Sequence, residues 1–590
     1  MLLQRLVEYA NRSNLPPTLY SEVPVRYVIE LDRQGRLLNP EPTDTADPSN
    51  PRTKRGQPHS VPQVQRAFAV KPLLLADKAD YTLGFAAQGA KPDRVADAHQ
   101  AYMDLLARCA QDTQEPEVEA VLRFLSDEPL KQLRLDNDFD PGALITFRVD
   151  GVFPVDLPSV QAFWATENDP EARASAEGEQ ATIMQCLICG EERPVLSRLQ
   201  AKIKGVPGGQ TSGTSIISAN AKAFESYGLE ASLIAPTCAV CGERFTKAAN
   251  QLIAGPESHI TVGSAVSIFW TREDVGFNVY NLISDPKPEQ VQHLYESVFK
   301  GDEHVEFDDM AFYATTLSAS GGRTVVRDYI DTTIGNVRRN LARWFRGQEI
   351  VDPDEDVPRP FGLYALALGT VREAKDLAPT TPRALLRCAI AGTPLPIGLL
   401  YEAVRRNRAE QRVTRPRAAL IKLVLTTQNR IKEGTMVELD HNNTQAAYLC
   451  GRLLAVLERA QERAIPGIGA GIVDRFYGTA SSAPASVFGR LMRGLQQHLG
   501  KLERDEPGTY AALQAQLEEI LSRLDRFPKT LTLEEQGLFA LGYYHQRAED
   551  RARARERSER RRAEQSTQSV PAGSAQAQAG GEDEDEHVLE

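Results

Sequence analysis

Two short cysteine pairs constrain this chain more than any other feature. The first is Cys186-Leu187-Ile188-Cys189-Gly190 and the second is Cys238-Ala239-Val240-Cys241-Gly242. A Cys-x-x-Cys turn brings two sulfurs to one point, and two such turns can supply four thiolates to one tetrahedral zinc ion. The glycine after each pair tolerates the tight backbone there. The sequence therefore predicts a structural zinc held by Cys186, Cys189, Cys238 and Cys241, in a zinc-knuckle subdomain spanning 186–241. Four thiolates leave no open coordination position, so a catalytic zinc is not expected. A metal-free cluster of buried thiols and a redox pair are the alternatives, and no βαβ pattern surrounds either pair to favour the second.

The chain pinned between the pairs is polar and rich in glycine. It runs through Lys202-Ile203-Lys204-Gly205 and Gly209-Gln210-Thr211-Ser212-Gly213 to Asn220. Lys202 and Lys204 suit phosphate contacts, and Gln210, Ser212 and Asn220 offer groups for base edges, since an amide can pair bidentately with adenine in the major groove. The competing reading is a folding motif in which Asn220 caps a helix while Phe224 and Tyr227 enter the core.

At 590 residues and 42% hydrophobic content, the chain can build several domains. Its seven cysteines, an odd number, fit a reducing cytoplasm rather than a disulfide framework. No run of apolar residues is long enough for a transmembrane helix, and the N-terminus lacks a signal-peptide pattern, so no membrane association is expected. A net charge of -12 argues against indiscriminate nucleic-acid binding by the whole surface but leaves room for a local basic groove. Part of that charge sits in the terminal run Glu582-Asp583-Glu584-Asp585-Glu586.

Strand patterns at 25–31, 144–149, 265–270, 311–318 and 324–330 mix with helical periods at 2–12, 93–112, 244–254 and 332–346. Residues 1–350 thus read as an α+β nucleic-acid recognition region. Pro24 is placed at or just before the first of these strands, and Tyr81-Thr82-Leu83 reads as strand. The Pro/Asp-rich run after Val351 opens a linker or domain edge at 351–380. From 381 to 560, Leu/Ala-rich periods with short Pro- or Gly-marked connections predict an all-α helical bundle. Within it, Arg405, Arg406, Arg412 and Arg415, with Arg408, Arg417 and Lys422, form the densest basic run. It reads either as a phosphate-contact face or as a solvated helix surface. Residues 561–590 are expected to be a disordered tail, acidic at its end.

Nothing in the sequence assembles an active site. There is no phosphate-binding Gly-x-x-x-x-Gly-Lys-Ser/Thr loop, no His-x-x-x-His, and no serine with a base at a meaningful spacing. A non-catalytic binding or assembly protein is expected.

Several stretches resemble one family. They are Lys202-Ile203-Lys204-Gly205, Gly209-Gln210-x-Ser212-Gly213, and Asn220-x-x-Ala223-Phe224-Glu225-Ser226-Tyr227-Gly228. Supporting them are Lys71-Pro72, Tyr81-x-Leu83-Gly84 and Asp150-Gly151. Further on come Ala446-Ala447-Tyr448-Leu449-Cys450-Gly451-Arg452-Leu453 and Phe539-x-Leu541-Gly542-Tyr543-Tyr544-His545-Gln546-Arg547. Colinear from the start to about residue 550, these resemble the large subunit of the type I-C CRISPR interference complex, a form of Cascade. The resemblance implies a subunit of an RNA-guided complex that recognises the target-adjacent duplex motif, stabilises the displaced strand and supports recruitment of a helicase–nuclease. The partners it implies are the guide RNA ribonucleoprotein, target double-stranded DNA, the Cascade backbone and guide-processing subunits, and that helicase–nuclease. In such systems base pairing with the guide reads the target, while protein reads the short adjacent motif. The alternative is a zinc-stabilised scaffold that contacts mainly guide RNA and partner proteins.

Overall fold

The structure, a computed structural model, describes residues 1–50, 53–64, 70–86, 89–168, 182–199, 201–219, 221–300 and 307–568. Packing divides the chain into two units. One comprises Met1–Val275 with Ala311–Asp331, and the other Gly276–Met310 with Thr332–Glu590.

The first unit is α+β and has two cores. In one, a four-stranded sheet runs in the order Thr43–Asp44, Tyr27–Leu31, Leu144–Val149, Ala76–Lys78. Its central pair is parallel, with Ile29 opposite Phe147. Helices Pro92–Thr113, Pro116–Ser126 and Pro158–Glu167 supply Tyr102, Leu106, Val121, Phe124 and Trp164 to the same core. The strand expected at 25–31 is two strands. Tyr20–Val25 pairs with Gln57–Pro62 in a separate two-stranded sheet, and Tyr27–Leu31 enters the four-stranded one. Pro24 lies inside the first of these, opposite Pro58, where a short two-stranded sheet tolerates a missing donor. Tyr81 and Thr82 belong to a helical turn, Ala79–Thr82, rather than a strand.

The second core of this unit lies on an antiparallel sheet ordered Arg323–Thr333, Ala311–Ser320, Ala265–Thr271, His259–Val262. Helices Leu2–Arg12 and Ala239–Ala254 cover one face. Leu6, Ala10, Phe245, Ala249 and Leu252 from the helices meet Val266, Ile268, Trp270, Tyr313 and Leu317 from the strands. Alternation along Ala265–Thr271 and Ala311–Ser320 puts these residues on one side of the pleat, and Phe269, Phe312 and Ala314 on the other side are buried as well.

The second unit is a helical bundle. Ala446–Ala464 and Leu533–Gln568 are its central pair, joined by Pro484–Asp505, Pro507–Leu521, Arg415–Thr427 and Ile397–Glu410. Gly451 and Gly542 sit where the central helices cross. A Cβ on Gly451 would fall on the Phe539 carbonyl, and one on Gly542 on the Tyr448 carbonyl. The bundle begins earlier than the sequence indicates. Helix Ile334–Gln348, placed by the sequence in the α+β region, buries Val337, Leu341, Trp344 and Phe345 and packs on Thr380–Ala391 and Arg415–Thr427. The stretch 351–380 is not only a connector, because it contains the helix Leu363–Leu368. The last helix continues to Gln568, so residues 561–568 are helical. The rest of the expected tail, 569–590, lies outside the described residues.

Candidate metal centre and nucleic-acid interface

The first cysteine pair sits on a hairpin. Strands Ile183–Gln185 and Glu192–Pro194 pair antiparallel, and the Cys186 amide donates to the Glu191 carbonyl at 2.9 Å. Gly190, at φ 79°, closes the knuckle by donating to the Cys186 carbonyl, also at 2.9 Å. The second pair starts a helix. Cys238 is the N-cap of Ala239–Ala254, and Cys241 stands in its first turn. Val195 and Cys238 form an antiparallel bridge that joins the two halves. The glycines after the pairs therefore have different reasons. Gly190 supplies a left-handed turn, whereas a side chain at Gly242 would meet Leu199 at 2.6 Å.

The four sulfurs lie within 4.8 Å of one another. A zinc ion with Zn–S bonds of about 2.3 Å would hold them about 3.8 Å apart, so a small contraction seats the ion. Cys186, Cys238 and Cys241 are buried and Cys189 is exposed. Hydrogen bonds among the sulfurs, led by that with Cys241, bring the Cys238 thiol down to about 5 despite burial. The same bond to Cys238 raises Cys241, and burial raises Cys189. Cys238 stands at a helix N-terminus, which also favours its thiolate form. The donor set, its closeness and its burial all fit a structural zinc. Bound there, the ion would tie the hairpin to the helix and fix both ends of the intervening chain.

That chain is stitched down along its length. Ile203 and Thr214 exchange two backbone hydrogen bonds of 2.8 Å, which makes 203–214 a closed loop. Ile203 and Val206 point into the sheet core. Asn250, on the helix that follows the second knuckle, holds the loop's entry. Its Oδ1 accepts from the Lys204 amide at 2.7 Å, and its Nδ2 donates to the Lys202 carbonyl at 3.1 Å. At the far end, Ser215 joins the sheet edge beside Arg323, and the Thr214 and Thr324 hydroxyls are 2.6 Å apart. Lys204, Gln210 and Ser212 are left exposed and Lys202 half-buried. Three of the five candidate contacts in this segment, Lys204, Gln210 and Ser212, thus lie on one anchored loop, and Lys202 stands at its entry. Asn220 lies outside the described residues.

The structure adds three neighbours that the sequence reading did not select. A Cβ on Gly322 would lie 3.4 Å from Gln210 Oε1, which places Gln210 against the turn before Arg323. The Arg323 guanidinium lies over the Phe224 ring, 3.9 Å from its centroid. Phe224 closes a single 3-10 turn, Lys222–Phe224, and is 47% exposed. Beyond it, Ser226 and Leu229 form a bridge around Tyr227 and Gly228. Both central residues have positive φ, 56° and 71°, the signature of a type I′ turn. Tyr227 is 98% exposed. Neither aromatic enters the core, which corrects that part of the folding-motif reading. The signal available in sequence was Ser226-Tyr227-Gly228 itself, a turn with an aromatic at a position that favours Gly or Asn.

The arginine run of the bundle divides by burial. Arg417 and Lys422 are buried, and Lys422 Nζ donates to the carbonyls of Arg346 and Glu349 at 3.2 and 2.6 Å. Arg406 is half-buried and pairs with Glu410, as does Arg417. Arg415 pairs with Asp352 at 3.2 Å and covers the Phe361 ring at 4.5 Å. Arg405 and Arg412 are exposed, the former bonded to Glu402 at 2.6 Å. The run is therefore not one continuous basic face. Among the described residues, no helix is long and apolar enough to cross a membrane.

A search of the curated proteins found no match. A family model described as CRISPR-associated protein (Cas_Csd1) matches residues 3–550.

Proposed function

The chain belongs to the Cas_Csd1 family, the large subunits of type I-C Cascade, and from that premise we propose that it reads the duplex beside the target through the anchored loop and its aromatic neighbours. Membership gives it a non-catalytic role in a Cascade-type ribonucleoprotein acting on RNA-guided DNA targets. The finer role rests on one observation. Tyr227 stands almost fully exposed at φ 56°, a conformation costly for an aromatic residue and not offset here by burial. Such strain is retained where an exposed ring has something to meet. The same inter-cysteine segment carries a second exposed ring, Phe224 under the Arg323 guanidinium, the Gln210 amide set against the turn before Arg323, and the Lys202–Lys204 pair. Rings stack on bases, amides pair with base edges, and lysines hold phosphates.

In this reading Lys202 and Lys204 position the duplex, and Gln210 and Ser212 face base edges. Phe224 and Tyr227 stack on a base pair or wedge against it. In the bundle, the exposed Arg405 and Arg412 would contact a displaced strand, while Arg406 and Arg415 are held in ion pairs with Glu410 and Asp352. Recruitment of a helicase–nuclease belongs to the same proposal.

The zinc-stabilised scaffold is the competing role, and a triple variant K202A/K204A/Q210A separates the two. A duplex reader assembles normally with guide RNA and partner subunits and then binds target duplex weakly. A scaffold fails at assembly.

A further inference from the structure

The family match ends at residue 550, and two features of opposite charge follow it. The first is the end of the last helix. Seven arginines, Arg551, Arg553, Arg555, Arg557, Arg560, Arg561 and Arg562, stand against Glu556 and Glu559 over residues 551–562. At 100° per residue, Arg553, Arg557, Arg560 and Arg561 fall on one stripe. Arg553 pairs with Glu549 and Arg555 with Asp356. Arg557, Arg560 and Arg561 are exposed, with no ion pair among the described residues. A basic stripe of this density attracts polyanions without selecting among them.

The second feature is the run Glu582-Asp583-Glu584-Asp585-Glu586, preceded by an uncharged stretch from Gln565 to Gly581. We propose that this acidic run docks on the arginine stripe of its own chain and screens it from nucleic acid. Charge complementarity and reach support this occupant over others. Fourteen residues lead from Gln568 to Glu582, an extended reach of about 46–50 Å. The helix from Arg551 to Gln568 is about 26 Å long. The connector can therefore return the run over the whole stripe, and its lack of charge leaves nothing to compete for the arginines. Docking in this way would leave a Cascade subunit's contacts with nucleic acid to its other surfaces.

The test uses the full chain without guide or target, so its failure would leave the duplex-reading proposal untouched. A neutral-tail variant, E582Q/D583N/E584Q/D585N/E586Q, is compared with wild type for tryptic cleavage after Arg557, Arg560 and Arg561. A second assay measures binding of a 20-nucleotide thymidine strand at low salt. Cleavage is expected to rise severalfold and strand affinity about tenfold. Both gains should vanish in a background carrying R557Q/R560Q/R561Q for affinity, and at high salt for cleavage. Equal cleavage in wild type and neutral-tail chains overturns the proposal. So does an affinity gain that persists without the three arginines.

Discussion

The Arg323 guanidinium lies 3.9 Å from the centroid of the Phe224 ring, and so joins the start of a sheet strand to the loop between the two cysteine pairs. Such a stack is worth about 0.5–1 kcal/mol at an exposed site. It orients a ring that the core does not hold, three positions before Tyr227 in the chain.

Tyr227→Gly separates the stability of this loop from its proposed work. Glycine accepts φ 56° without strain, so the isolated chain should keep its melting temperature or gain up to about 1 kcal/mol. Loss of the ring should weaken target-duplex binding by the assembled complex by about 1–3 kcal/mol, the range for base stacking. Thermal melts and duplex titrations on one preparation check both. A variant that binds as wild type would take Tyr227 out of the interface.

Metal content checks the cysteine cluster. Purified chain should carry one zinc ion, held by Cys186, Cys189, Cys238 and Cys241. Cys186→Ser or Cys241→Ser should abolish it, and chelation should expose the 196–237 segment to protease while the helical unit stays resistant. Atomic emission and limited proteolysis read the two effects. Full zinc retention in both variants would show that the ion sits elsewhere.

Buried ionisable groups give the helical unit a defined pH response. Burial lowers Lys422 to about 8 from an ordinary 10.5. Between those values the unfolded chain holds a proton that the folded chain has released, so stability should rise with pH across that window. Burial, with a smaller effect of Lys422, lowers His545 to about 3 from 6.5. There stability should fall as pH drops from about 6.5 toward 3. Lys422→Met should remove the alkaline rise and cost about 1–3 kcal/mol at neutral pH, because the Arg346 and Glu349 carbonyls lose their donor. Urea midpoints followed by circular dichroism across pH report all three.

Gly451→Ala and Gly542→Ala should each destabilise the bundle by more than about 3 kcal/mol, since the new methyl meets a facing helix carbonyl. Gly489→Ala, on an open helix position, should instead stabilise by about 0.5–1 kcal/mol. Denaturation midpoints that rank the three variants otherwise would place the helix crossing elsewhere.

The bundle was legible because Leu/Ala periods such as those of Ala446–Ala464 need only local repetition. The zinc cluster was legible because four ligands in two fixed spacings carry their own geometry. The break between Val25 and Tyr27 was not, since the apolar pattern continues across Arg26 while the two strands join different sheets. The bundle's arginines misled for a related reason. Counting charge treats every basic residue as exposed, yet Lys422 sits among Leu420, Ile421, Leu423, Val424 and Leu425, in a helix buried on all sides. Those apolar neighbours were the available sign that this lysine caps another helix. Arg323 could not be tied to Phe224 from sequence, because the sheet edge that brings them together is formed by residues far apart in the chain.

The most direct measurement is a photo-cross-link from position 227. Tyr227→p-benzoylphenylalanine in the assembled guide complex, irradiated on target duplex, should attach to nucleotides of the duplex immediately beside the guide-paired segment. Cross-links confined to guide RNA or to partner subunits would contradict duplex reading by this loop and establish the scaffold role in its place.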